Sequence, residues 1–173
     1  MHLHVLQRPD VLRVTRDQRA VLFAPNPVKL AERQRGLAFI RAQYVAERMQ
    51  ADPLSRAEAD QFVTAQWART LPQGAATDGH HLFWASDDST RIGLLWIFID
   101  ARYAQAFIYE IIVFDAFRGR GLGRDLLDCA EQFARAQRSR ALSLNVFSPN
   151  HRAITLYTSA GFEAVSQHMS KRL

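Results

Sequence analysis

Between Ala106 and Gln137 the chain runs through an apolar stretch, "AFIYEIIVF", then a bare basic turn, "FRGRGLG" at Phe117–Gly123, then "RDLLDCAEQFARAQ", whose apolar residues recur at helical spacing. A strand that is apolar on both faces has to be covered on both, so it belongs in the middle of a sheet. The helix that follows starts at glycines, which turn sharply and let another molecule approach without a Cβ in the way. A helix start offers free N–H groups and the positive end of a dipole. The product is an anion site, most often for phosphate. Arg118, Arg120 and Arg124 add positive charge around it.

The rest of the chain arranges itself around this unit. The 173 residues suffice for one domain with a real core, which we take as residues 1–173. "HLHVL" and "AVLFA" are short strand candidates near the start. Apolar spacing predicts a helix from about Pro27 to Met49, and "DPLSRAEADQFVTAQWART" predicts a second, with Ser55 and Glu58 spaced as a capping box. "HHLFWA" and "RIGLLWIFID" predict a hairpin across the turn "SDDST". After the long helix, "ALSLNVF" predicts a strand. "SPNHRAITLYTSAG" predicts a short helix with Pro149 in its first turn and Gly161 at its C-terminal cap, and "FEAVSQHMSKRL" predicts a closing strand. This order predicts a mixed sheet covered by helices.

Two phosphate motifs fail. A P-loop needs a Gly-Lys-Ser/Thr ending, and no lysine lies near the turn. Gly119 and Gly121 fit a dinucleotide fingerprint, but Arg124 stands where its third glycine belongs. What remains is Arg118-x-x-Gly121-x-Gly123, which resembles the pyrophosphate-binding signature of the GNAT-type N-acetyltransferases. Downstream, Asn150-x-x-Ala153-x-x-Leu156-Tyr157-x-x-x-Gly161-Phe162 is similar to the second signature of that superfamily, in the expected order and spacing. The resemblance covers the chain well from about Leu82 onward and extends to a bacterial subgroup of largely uncharacterised members.

The resemblance implies an α/β fold of the GNAT type: a mixed, mostly antiparallel sheet with splayed central strands, flanked by helices. It implies an acetyl-CoA-binding core over about residues 81–173 and acceptor-side helices over about 27–70. Acetyl-CoA is the implied cosubstrate and a primary amine of a small molecule, peptide or protein the implied acceptor. The backbone of Ile111, Ile112 and Val113 would hold the pantetheine arm. The N–H groups of Arg118, Gly119, Arg120, Gly121, Leu122, Gly123 and Arg124 would hold the pyrophosphate. Asn145 and Asn150 are further coenzyme contacts by resemblance, with a turn or helix-cap role open for Asn150. Tyr157 matches a position where the family often places a tyrosine near the coenzyme sulfur, which makes it the candidate general acid. A phenol with an ordinary pKa of about 10 stays protonated at neutral pH. Without the motif, Tyr157 reads as a core aromatic.

Glu110 stands out on physics alone, because it interrupts an apolar strand. A buried carboxylate needs a partner, an opening to water or a raised pKa. It is the candidate base for the amine's proton, or one half of an ion pair with an arginine. As a base it predicts that Glu110→Gln loses most activity at low pH, where the amine is protonated. His80 or His81 would reach the acceptor side, or serve as ordinary strand-end residues. Cys129 reads as core packing.

The net charge of +5 is carried almost wholly by arginine, since Lys29 and Lys171 are the only lysines. No basic run is interleaved with aromatics, so nucleic acid is not an expected partner. No zinc spacing is present, and Asp87 and Asp88 read as a turn, so no metal is expected. No apolar run reaches membrane-spanning length, and no secretory leader pattern opens the chain, which together favour the cytoplasm. A homodimer is compatible with these features. The rival from another class is a non-catalytic acyl-CoA-binding sensor.

Overall fold

A computed structural model describes residues 12–16, 19–24, 30–87, 90–167, 169 and 171. Strands β1 (Leu12–Arg16) and β2 (Arg19–Ala24) come first, then helices α1 (Leu30–Ala51) and α2 (Arg56–Thr70). Strands β3 (His80–Asp87), β4 (Thr90–Asp100) and β5 (Gln105–Val113) follow. Helix α3 (Leu122–Ala136), strand β6 (Ala141–Leu144) and helix α4 (His151–Ser159) complete the order. The strands form one sheet in the order β1-β2-β3-β4-β5-β6. All neighbours are antiparallel except β5 and β6, which run parallel across the α3 crossover.

Local chemistry sets the helix ends. Ser55 accepts from the Glu58 N–H at 3.3 Å while Glu58 accepts from the Ser55 N–H at 2.8 Å, the reciprocal pair expected from the sequence. Helix α4 begins at the Asn150 cap, so Pro149 precedes the cap instead of lying in the first turn. Gly161, at φ +92°, takes the left-handed conformation just past the end of α4.

Two cores lie on opposite faces of the sheet. On one, Phe83, Leu95, Ile97 and Ile108 meet Leu126, Leu127, Cys129 and Ala130 of α3, with Leu156 and Tyr157 of α4 packed alongside. On the other, Leu82, Leu94, Trp96 and Ile112 meet Ile40 of α1 and Leu71, with Trp67 of α2 packed against them. Strand β5 therefore contributes to both cores, as its double-sided apolar sequence requires.

Strand β6 accompanies β5 only from Gln105↔Ala141 to Ile108↔Leu144. Beyond that, β5 continues from Tyr109 to Val113 without it, and the expected splay between parallel strands opens there. The strand expected over "ALSLNVF" thus ends early: Asn145, Val146 and Phe147 leave the sheet. The closing strand is also corrected. Residues 162–167 form no strand, and Val165 stays 92% exposed, so it gains nothing from the sheet. The expected strand at "HLHVL", the start of the first helix at Pro27 and part of the "SDDST" turn lie outside the described residues.

Gly93 of β4 lies against the carbonyl of Ile112, where a Cβ would overlap the oxygen. Both partners are backbone in a paired ladder, so neither yields without opening β4 from β5. Gly93→Ala is expected to cost about 1–3 kcal/mol, as overpacking does. Thermal unfolding should register this as a fall in Tm of roughly 2–12 °C for a domain of this size. An unchanged Tm would mean that the β4–β5 spacing is slack.

Candidate active site

The glycine turn closes the upper end of the splay. A short 3-10 turn at Asp115–Phe117 leads from β5 into it. Gly119 (φ +78°) and Gly121 (φ +82°) both take the left-handed conformation, which explains glycine at both positions. No protein atom lies within 4 Å of a Cβ built at either residue, so the space above them is open. Gly121 caps α3 without a side-chain hydrogen bond. Among the described residues, the backbone N–H groups from Gly119 to Gly123 have no backbone acceptor. Gly123 has a different reason to be glycine: its Cβ would stand 3.2 Å from Leu156, where α3 and α4 pack closely.

The three arginines brace this turn. Arg118 donates to the Val113 carbonyl at 3.2 Å and pairs with Asp115 at 2.7 Å. Arg120 donates to Ala116 O at 3.0 Å, and Arg124 ties α3 to the end of α4 through Ser159 O at 2.7 Å. Each guanidinium carries five N–H donors, so these contacts leave others available.

Below the turn, the β5 backbone divides its peptide groups between the two sides. Phe114 N donates to Ile92 O at 2.9 Å and the Ile112 carbonyl lies against Gly93, so both face β4. The Val113 carbonyl faces the other way, toward Arg118. Alternation places the Ile111 peptide groups on the Val113 side, toward the splay. Of the three residues assigned to the pantetheine arm by sequence, Ile112 is thus turned away, because its carbonyl is directed at β4.

Glu110 of β5 and Tyr157 of α4 lie close enough for the Glu110 charge to act on the tyrosine hydroxyl. Burial and the neighbouring Glu47 carboxylate on α1 push the Glu110 pKa up to about 8, against a smaller opposing effect from the Ile111 N–H. Burial, and the Glu110 charge after it, push the Tyr157 hydroxyl up to about 12. The alternative ion pair between Glu110 and an arginine is absent among the described residues; the charge acting on Glu110 is another carboxylate. The Glu110 value is above the ordinary carboxylate range. Its contribution to stability is therefore full at low pH and is lost as the pH rises through about 8.

The other sequence candidates separate. Asn150 is the cap of α4, its Oδ1 accepting from Ala153 N at 3.1 Å. Asn145 is exposed just past β6. His80 is buried on the α1/α2 face, where its Nδ1 accepts from Trp96 Nε1 at 3.1 Å. Burial and nearby His81 and Arg33 lower its pKa to about 4, so it is a neutral core histidine. His81 turns to the opposite face, against Phe133 at 4.9 Å. The Cys129 thiol is buried and its pKa is raised by that burial and by Asp125 and Asp128, as a packing residue requires. Among the described residues no group of three His, Cys, Asp or Glu is placed to hold a metal, and no helix is long and apolar enough to cross a membrane.

Sequence reasoning missed Glu47 and Tyr109. Glu47 is seven residues after buried Ile40, a spacing that shares its helix face, and this was the available signal. For Tyr109 the signal was weak, because its placement depends on an irregularity in the β4–β5 pairing.

Comparison with known proteins gives the family and the fold. The model of the Acetyltransferase (GNAT) family matches residues 42–162. An uncharacterised N-acetyltransferase of Bacillus subtilis (strain 168), YycN, is 31% identical over 151 residues, covering 86% of this chain and 97% of its own. The crystal structure of YycN superposes with a TM-score of 0.80 at 29% identity, covering 88% of this chain and 98% of that one. An aminoglycoside N-acetyltransferase solved in complex with CoA shares the fold, with a TM-score of 0.50 and 20% identity over 64% of this chain and 90% of that one.

Proposed function

The chain belongs to the GNAT acetyltransferase family, and on that premise we propose that it transfers acetyl from acetyl-CoA directly to a primary amine. The observation that carries this reading is one gap with three features. N–H groups without a backbone acceptor stand at its upper end, β5 peptide groups not paired with β6 line its wall, and Glu110 lies close enough for its charge to act on the Tyr157 hydroxyl. The turn from Arg118 to Arg124 would hold the pyrophosphate, and the peptide groups of Ile111 and Val113 the pantetheine arm. Asn145 would add a side-chain contact, as would the amide nitrogen of Asn150, whose oxygen caps α4. CoA bound in a fold relative supports the same cosubstrate here. Helices α1 and α2 would form the acceptor side.

The chemistry then balances on two side chains. The amine nitrogen attacks the thioester carbonyl carbon, and Glu110, ionised beforehand, takes the ammonium proton directly or through water. The carbon–sulfur bond breaks, and the Tyr157 hydroxyl gives its proton to the departing thiolate. Glu110 gains one proton as Tyr157 loses one, and solvent exchange restores both. The two steps help each other. Protonating Glu110 removes the negative charge that had held the tyrosine proton, so Tyr157 becomes a stronger acid when the thiolate leaves.

The raised Glu110 pKa reverses the expected pH dependence of its removal. Below about pH 8 the carboxyl is already protonated and cannot act as base. Activity should therefore rise with pH to a plateau above about 8. Glu110→Gln should lose roughly ten- to a hundredfold on that plateau and little below it, the low end of general-base effects because solution already supplies some neutral amine there. A pH–rate profile with free-thiol detection and mass-spectrometric product identification tests both points. Equal profiles for variant and parent would remove Glu110 from the chemistry. Coenzyme binding without turnover on a broad amine panel would favour the sensor reading instead.

A further inference from the structure

Ile108 and Ile111 both pack into the α3-side core although their positions are three apart. Regular alternation would put them on opposite faces. The β4–β5 register explains the exception: Ile97 pairs with Ile108 but Trp96 pairs with Glu110, so Tyr109 is an extra residue in a bulge. The two residues between the isoleucines, Tyr109 and Glu110, therefore share the α1/α2 face. Tyr109 accordingly stacks on Trp96 there, at 4.5 Å and 20°.

The Tyr109 ring is held firmly. Phe107 meets it edge-on at 4.8 Å, and His80 lies 5.4 Å away. It is nevertheless 37% exposed, because the helical cover ends at Thr70. A fixed aromatic surface thus stands open directly beside Glu110. The Glu47 carboxylate acts on Glu110 from α1, and Arg33 donates to the His80 carbonyl at 2.9 Å. His80 is neutral.

We propose that the acceptor is an aliphatic primary amine with no carboxylate on its amine-bearing carbon, bound as a cation with its stem on Tyr109 and its ammonium toward Glu110 and Glu47. This rests on the acyl-transfer reading above and names the substrate class for that site. An aromatic face attracts an ammonium and its polarised methylenes. Two carboxylates complement the cation, and its arrival favours the ionised form of Glu110; the ammonium gives one proton to solvent before its nitrogen attacks, and Glu110 takes the second. An α-amino acid would bring its own carboxylate into the same space and be repelled.

Pentylamine and norleucine form a matched pair, since they differ only by the α-carboxylate. With saturating acetyl-CoA, kcat/KM should favour pentylamine by about thirtyfold or more, because only norleucine brings a carboxylate beside Glu110 and Glu47, and like-charge juxtaposition is costly. Tyr109→Leu should raise KM for pentylamine by roughly 3- to 30-fold, with kcat and the KM for acetyl-CoA nearly unchanged. Tyr109→Phe, which keeps the ring, should stay near the parent. Glu47→Gln should narrow the pentylamine preference. Norleucine acetylated as well as pentylamine would overturn the proposal on the parent protein alone, with no variant needed, and would leave amine acetylation standing. An unchanged pentylamine KM in a folded Tyr109→Leu would overturn it too. If neither amine is acetylated while acetyl-CoA still raises Tm, this proposal falls, and turnover on the broad amine panel decides the acyl-transfer reading separately.

Discussion

Tyr157→Phe should lower turnover by roughly ten- to a thousandfold, near the usual range for general-acid catalysis, while leaving the protein folded. The ring is half-buried beside the α3-side core and lies 5.9 Å from Phe162, and phenylalanine preserves those contacts. No hydrogen bond contributes to its raised pKa, so removing the hydroxyl strands no buried partner. Tm should hold within a few degrees. The KM for acetyl-CoA should also hold, because the phosphate and pantetheine contacts lie elsewhere. Pre-steady-state thiol release, under conditions where chemistry limits the rate, is the measurement. A core-aromatic role predicts the opposite pattern: near-normal turnover for Phe and a large loss of stability only for Tyr157→Ala. Parental turnover in the Phe variant would assign the proton to water or another side chain.

Gly121→Asp should abolish acetyl-CoA binding without unfolding the chain. At about a hundred times Kd, acetyl-CoA should stabilise the parent by about 2.7 kcal/mol. For a domain of this size that corresponds to a Tm rise of roughly 5–11 °C. Gly121 sits at φ +82° with open space around its Cβ position, so the new side chain costs backbone strain and no clash. Aspartate tolerates that conformation better than most residues. Its carboxylate would reach the free N–H groups at the start of α3 and put a negative charge where the pyrophosphate is proposed to bind. Gly121→Asn, which has the same shape without the charge, should retain more of the ligand-induced rise. A full rise in the Asp variant would move the phosphate site away from this turn.

The glycine turn was legible because its demands are local. Positive φ at Gly119 and Gly121, an uncapped helix start and nearby arginines all follow from a few consecutive residues. The double-sided burial of β5 and the capping box at Ser55 were legible for the same reason. Two signatures at fixed spacing then tied Tyr157 to the turn, and that pairing made the family readable from the sequence.

Pairing between distant segments decided the rest. Simple alternation would have put Glu110 with Ile108 in the α3-side core. A one-residue bulge against Trp96 and Ile97 sends it to the other face with Tyr109, toward Glu47 of α1. The same register turns the Ile112 carbonyl to β4 and leaves Ile111 and Val113 facing the splay. The expected closing strand has a strand-like composition, yet residues 162–167 pair with no strand among the described residues, and a strand exists only where a neighbouring edge accepts its hydrogen bonds. The sequence by itself determined the turn, the helix starts and the apolar faces, because these depend on neighbours along the chain. Only the tertiary structure decided which way Glu110 points and what shifts its pKa, because a bulge and an approaching carboxylate are relations across strands and helices.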